Sequence, residues 1–137
     1  MENYDNDEII KETRKLIVKG EYELSAVIND IEIWFNEDSP EEVSDEMIEF
    51  ALDIANAYQS NKEKYDREAL KEVKKCLNED EEVDDLTILN QLGTPIIDIA
   101  TENGASLMYN SVAEIGEHMP EVNINRNLEV EDVVLNG

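Results

Sequence analysis

Residues 95–137 hold four short extended segments, 96–101, 106–111, 121–125 and 128–135, and a chain that ends this way is expected to close on an antiparallel meander. The connectors carry turn chemistry. Gly104 in Glu102-Asn103-Gly104 is expected to supply the positive φ of a tight hairpin, a longer loop runs through Gly116, His118 and Pro120, and Arg126-Asn127 makes the last link. Pro120 has no N–H to give a ladder and so suits the start of a strand. Ile96, Asp98 and Ala100 fall on one side of their segment and Ile97, Ile99 and Thr101 on the other, as Val122, Ile124 and Arg126 do against Asn123 and Asn125. One face of the meander is therefore apolar and needs a cover.

The preceding chain offers that cover. Residues 1–7 are polar and expected to fray. From Glu8 onward Ile9, Ile10, Thr13, Leu16 and Ile17 recur at helical spacing up to Gly20, although Leu16, Val18, Tyr22, Leu24, Ala26 and Ile28 also alternate as a strand does; the reading is a short helix and then a strand from Glu21. Asn29-Asp30 separates this strand from Ile31-Glu32-Ile33-Trp34-Phe35, which makes a hairpin. Trp34, with apolar residues around it, reads as a core or edge anchor in preference to a ligand-stacking platform.

Ser39, Pro40 and Glu42 resemble a capping box, and Ser44 with Asp45 and Glu46 offers a second helix start. Met47, Ile48, Ala51, Leu52, Ile54, Ala55 and Tyr58 form the stripe of the helix that follows. A further helix over residues 62–77 turns Tyr65, Ala69, Leu70, Val73, Cys76 and Leu77 inward, with Lys74 and Lys75 at its C-terminal end, where cations are favourable. Leu86, Leu89 and Leu92, with Ile88 beside them, mark a short helix capped by Asp84 or Asp85 and ended by Gly93. The expected fold is α+β: one domain over residues 1–137, whose antiparallel sheet, an N-terminal hairpin plus the C-terminal meander, is covered on one face by two or three helices.

Charge bounds the function. The 137 residues include 35 Asp and Glu against 11 Lys and Arg, a net charge of −24. A field of one sign steers oppositely charged partners, raising association rates roughly 10- to 1,000-fold at low salt, and it disfavours direct contact with nucleic acid or an anionic membrane. A basic protein partner is expected, beside the plainer possibility that the acidity serves solubility. A lone cysteine rules out an internal disulfide, and the acidic N-terminus lacks the pattern of a signal peptide, so a cytoplasmic protein is expected.

No catalytic constellation is legible, and no enzyme, metal site or cofactor is expected. His118 is the only histidine, Cys76 reads as a small inner-face hydrophobe, and there is no Gly-rich phosphate loop. The acidic run after residue 78 could attract hard cations, but it lacks the Gly and the distal Glu of an EF-hand loop. The carboxylates with least evident structural need lie in two loops: Glu37, Asp38, Glu41 and Glu42 in one, and Glu79, Asp80, Glu81, Glu82, Asp84 and Asp85 in the other. These are the candidate partner-binding residues.

Ile31-Glu32-Ile33-Trp34-Phe35, Val43-Ser44-Asp45-Glu46-Met47, and the stretch from Ser106-Leu107-Met108-Tyr109-Asn110 through Gly116-Glu117-His118 to Val133-Val134-Leu135-Asn136-Gly137 carry a resemblance in pattern. Over residues 21–137 the chain resembles small acidic bacterial immunity proteins of polymorphic toxin systems. The resemblance implies an antitoxin that neutralises a cognate toxin domain, such as a nuclease, by stoichiometric binding through its acidic surface. The alternative is an acidic nucleic-acid mimic that inhibits a DNA-binding or nuclease protein.

Overall fold

Ile97, Ile99, Ala105, Leu107, Val122 and Ile124 are all buried, while their neighbours along the same strands are half-exposed, so the alternation read from the meander does define a core face. The computed structural model describes residues 2–77, 82–116 and 118–136. Its class is α+β. The order is α1 (Glu2–Leu16), β1 (Val18–Lys19), β2 (Leu24–Ile28), β3 (Ile31–Phe35), a 3-10 turn (Pro40–Glu42), α2 (Asp45–Ser60), α3 (Lys62–Cys76), α4 (Asp85–Leu92), β4 (Ile96–Ile99), β5 (Gly104–Met108), a second 3-10 turn (Ala113–Ile115), β6 (Met119–Asn125) and β7 (Val130–Asn136).

All seven strands form one sheet, ordered in space as in sequence. Every pairing is antiparallel except that of β3 with β4, which is parallel. An all-antiparallel sheet was the expectation, and the difference has a physical cause. The helical middle of the chain starts from the C-terminal end of β3 and returns to the opposite end of the sheet, so β4 must run alongside β3 in the same direction. Among the described residues three helices pack on the sheet, within the expected two or three, and a fourth packs on the third. α1 packs on α2 and β2, α2 on β3 and β4, α3 on β6 and β7, and α4 on α3.

Local chemistry explains the element ends. The β2–β3 hairpin turns through Asn29 and Asp30 at φ 54° and 64°, the left-handed pair that a two-residue hairpin needs. Ser44 caps α2 by accepting the Met47 N–H. Ser39 does not serve the helix: its hydroxyl donates to the Glu42 carboxylate across the 3-10 turn. Asp84 caps α4 by accepting from both the N–H and the hydroxyl of Thr87. Gly93 ends α4 at φ 65°, with Asn110 Nδ2 only 2.8 Å from where a Cβ would stand.

Several expectations are corrected. α1 begins at Glu2 and ends at Leu16, before Gly20, and Val18–Lys19 is already a strand paired with β2, so both competing patterns in that stretch are used in turn. Gly104 does not have positive φ. It opens β5, and Thr101 shapes the turn by accepting the Asn103 N–H on its hydroxyl. The last hairpin turns at Leu128, φ 68°, while Asn125 accepts the N–H groups of Asn127 and Glu129. Cys76 and Leu86 are exposed rather than inward, and Phe50, outside the expected stripe, is fully buried.

Polar contacts tie the helix layer to the sheet, and in two of them several side chains converge. Tyr58 of α2 and Tyr109, just after β5, both donate to Asp66 Oδ1 on α3, at 2.8 and 2.7 Å. Arg126, in the β6–β7 turn, reaches back over Phe50 and pairs with Glu49 and Asp53 of α2 at 3.8 and 3.1 Å.

Candidate functional site

The helices cover one side of the sheet, and the register shows what stands on the other. Val18, Ser25, Trp34, Asp98, Ser106, Asn123 and Asp132 oppose one another in turn, one residue from each strand, as a single row across all seven. Beside it Val27 opposes Glu32, and Ile96, Met108, Glu121 and Val134 form a second run. This face is stiffened by its own hydrogen bonds. The Ser106 hydroxyl donates to Asn123 Oδ1 and Asn123 Nδ2 donates to Asp132 Oδ1, both at 2.6 Å, and Trp34 Nε1 donates to Glu32 Oε2 at 2.6 Å.

No lysine or arginine stands on the open face. Lys11, Arg14 and Lys15 are on α1; Lys62, Lys64, Arg67, Lys71, Lys74 and Lys75 are on α3. Lys19 opposes Leu24, whose side chain is in the core, so it belongs to the helix side, and Arg126 is held by Glu49 and Asp53. The eleven cations are therefore confined to the helical side and the β1 edge. Glu32, Asp98 and Glu121 stand on the open face with none among them, whereas Asp132, on the edge strand, lines a depression with Lys64, Lys71 and Lys75 of α3, and Lys19 lines one with Glu37 and Asp38. Burial pushes the Asp98 carboxyl above its ordinary range.

At the β2–β3–β4 end the face opens into a cleft of about 600 Å³, lined by Tyr22, Glu23, Trp34, Phe35, Asn36, Glu37, Asp38 and Asp98. Tyr22 is 88% exposed. Phe35 is buried in the core, and the rings of Tyr22 and Trp34 with four carboxylates suit a cationic side chain, which gains from ring faces and from opposite charge together.

The sequence-derived candidates divide. Glu37 and Asp38 line the cleft, and Glu41 and Glu42 are exposed on the adjoining turn, Glu42 engaged by Ser39. Asp84 and Asp85 are committed within the fold: Asp84 caps α4, as expected of one of the two, and its carboxyl is held below the ordinary range by the Thr87 hydrogen bonds, while Asp85 pairs with Lys74 at 3.0 Å. Glu82 is exposed, and Glu79, Asp80 and Glu81 lie outside the described residues. Trp34 is not a core residue but half-buried on the open face. Sequence reasoning passed over Glu23, Glu32, Asp98, Glu121 and Asp132; strand parity at Glu32 and Trp34 was the signal that could have exposed the outward face.

Among the described residues, no group of three or more His, Cys, Asp or Glu is placed to hold a metal ion, and no helix is long and apolar enough to cross a membrane. No protein-family model, curated protein or solved structure matches the chain.

Proposed function

We propose that this protein is a stoichiometric inhibitor of the immunity type, which neutralises a toxin domain by covering a cationic surface that the toxin needs for its own activity. One observation carries the reading: all eleven lysines and arginines are kept off a sheet face whose inner strands retain three carboxylates, Glu32, Asp98 and Glu121. Solubility alone asks for charge, not for its segregation. A nuclease toxin presents positive groups to phosphates, and an anionic face can occupy them with electrostatic steering. The inhibitor does no bond-making of its own. Its site of action is the cytoplasm, where an unpaired cysteine stays reduced.

The test is to purify the product of an adjacent toxin-like gene and titrate it with this protein by calorimetry at low and high salt. The expected outcome is a one-to-one complex, weaker at high salt, that abolishes the toxin's activity. Absence of any complex at low salt would overturn the proposal.

A further inference from the structure

We infer that the docking surface is the open sheet face centred on Trp34, rather than the acidic loops, and that its occupant is a protein surface on which arginine or lysine side chains alternate with aliphatic ones. This deepens the inhibitor reading and rests on it. The partner's charge follows from complementarity: the inner strands of the face carry Glu32, Asp98 and Glu121 with no lysine or arginine among them. A second copy of this chain fails the same criterion, since face-to-face packing would set carboxylates against carboxylates.

The alternation follows from what lies between the charges. Val18, Val27, Ile96, Met108 and Val134 emerge on this face, with Val18 and Val27 60% and 63% exposed. The solvated side of an antiparallel sheet is ordinarily polar, and apolar residues spread across it are suited to burial by a partner. Trp34 is the natural anchor. Its indole is fixed by Glu32 before any partner arrives, so little rotamer freedom is left to lose on binding, and tryptophan is the residue most enriched among interface hot spots. Glu32 and Asp132 on the face accept from Trp34 and Asn123, and the described acidic loop residues are likewise partly committed: Asp84 caps a helix, Asp85 pairs with Lys74, and Glu42 receives the Ser39 hydroxyl. The occupant's guanidinium or ammonium groups would meet Asp98 beside Trp34, where the protein supplies no cation.

The experiment titrates ¹⁵N-labelled full-length protein with a synthetic peptide of alternating Arg and Leu, with an alternating Glu and Leu peptide as control. The Arg–Leu peptide should shift the Trp34 indole N–H and amides of β3 to β6 saturably, and the control should not. Trp34→Ala and Asp98→Asn should each weaken binding by about ten-fold. A loop variant carrying Glu41→Gln and Glu42→Gln together, neither of which lines the cleft, should weaken it by less than about three-fold. Val27→Ser, at an exposed position, provides a face variant that leaves the fold intact should Trp34→Ala misfold. Shifts confined to the loops, or face variants that bind as tightly as the parent, overturn the inference. Its failure is separable from that of the inhibitor reading: a toxin complex indifferent to Trp34→Ala and Asp98→Asn sinks the docking surface alone, whereas a peptide that docks on the face while the toxin does not bind sinks the inhibitor reading alone.

Discussion

Replacing Tyr109 by Phe removes one hydroxyl and keeps the ring, at a point where α2, α3 and the sheet meet. Tyr109 is 2% exposed, and its hydroxyl shares Asp66 Oδ1 with that of Tyr58. A hydrogen bond to a charged acceptor contributes roughly 1.5–3 kcal/mol net. Because Asp66 keeps its bond from Tyr58, we expect Tyr109→Phe to cost about 2 kcal/mol, which lowers the melting temperature of a chain this long by about 7 °C. Removing both hydroxyls leaves the carboxylate without either donor, so the Tyr58→Phe, Tyr109→Phe double variant should lose about 1 kcal/mol more than the sum of the singles. The pair also sets an alkaline limit. Burial first, and the Asp66 carboxylate next, push both tyrosine ionisations up from their ordinary value near 10. Their stabilisation is therefore complete below that value and is lost as pH rises above it, by about 1.4 kcal/mol per pH unit for each tyrosine that stays protonated in the fold. Urea unfolding of parent and variants at neutral and alkaline pH measures all of this. A Tyr109→Phe protein that melts with the parent at neutral pH, or an alkaline loss equally steep in the double variant, would refute the reasoning.

Three further outcomes are expected. Burial raises the Asp98 ionisation, so the folded state holds this proton more tightly; the contribution favours folding below the ordinary carboxyl value near 4 and is lost as pH rises through the folded-state value, so Asp98→Asn should stabilise the protein at neutral pH while weakening docking, as paired melting and titration would show. Gly93→Ala forces a Cβ against Asn110 at φ 65°, and denaturant unfolding should find it less stable by about 1–3 kcal/mol. Cys76 should react with a thiol reagent in the folded state at a rate close to that of the unfolded chain, because it is exposed.

What the sequence revealed was set by local rules. The β2–β3 hairpin was readable because Asn29-Asp30 between two β-branched runs is a local signal, as were the Ser44 and Asp84 caps. Gly104 misled because a neighbouring hydroxyl, from Thr101, shaped the turn without a left-handed residue. Cys76 and Leu86 sit near helix ends, where the apolar stripe runs past the structure it would pack on. The candidate site was less legible. The parallel pairing of β3 with β4 sets Trp34 beside Asp98, residues far apart in sequence, and no local pattern announces that register. Loop carboxylates drew attention because they cluster in sequence, whereas the carboxylates of the open face cluster only once the strands are paired.

That single parallel pairing also governs how the molecule comes together. The remaining strand pairs join neighbours through local connections, the longest being the loop with a 3-10 turn between β5 and β6, but β3 and β4 meet only when about 60 intervening residues have closed into a loop, an ordering penalty of about 3.6 kcal/mol by (3/2)RT ln n. The hairpin and the meander can each form early, while their union waits for α2, α3 and α4 to collapse between them. Trp34 sits on that seam, so its emission should follow the slowest step of refolding, and the anionic surface should be complete only when the seam has closed.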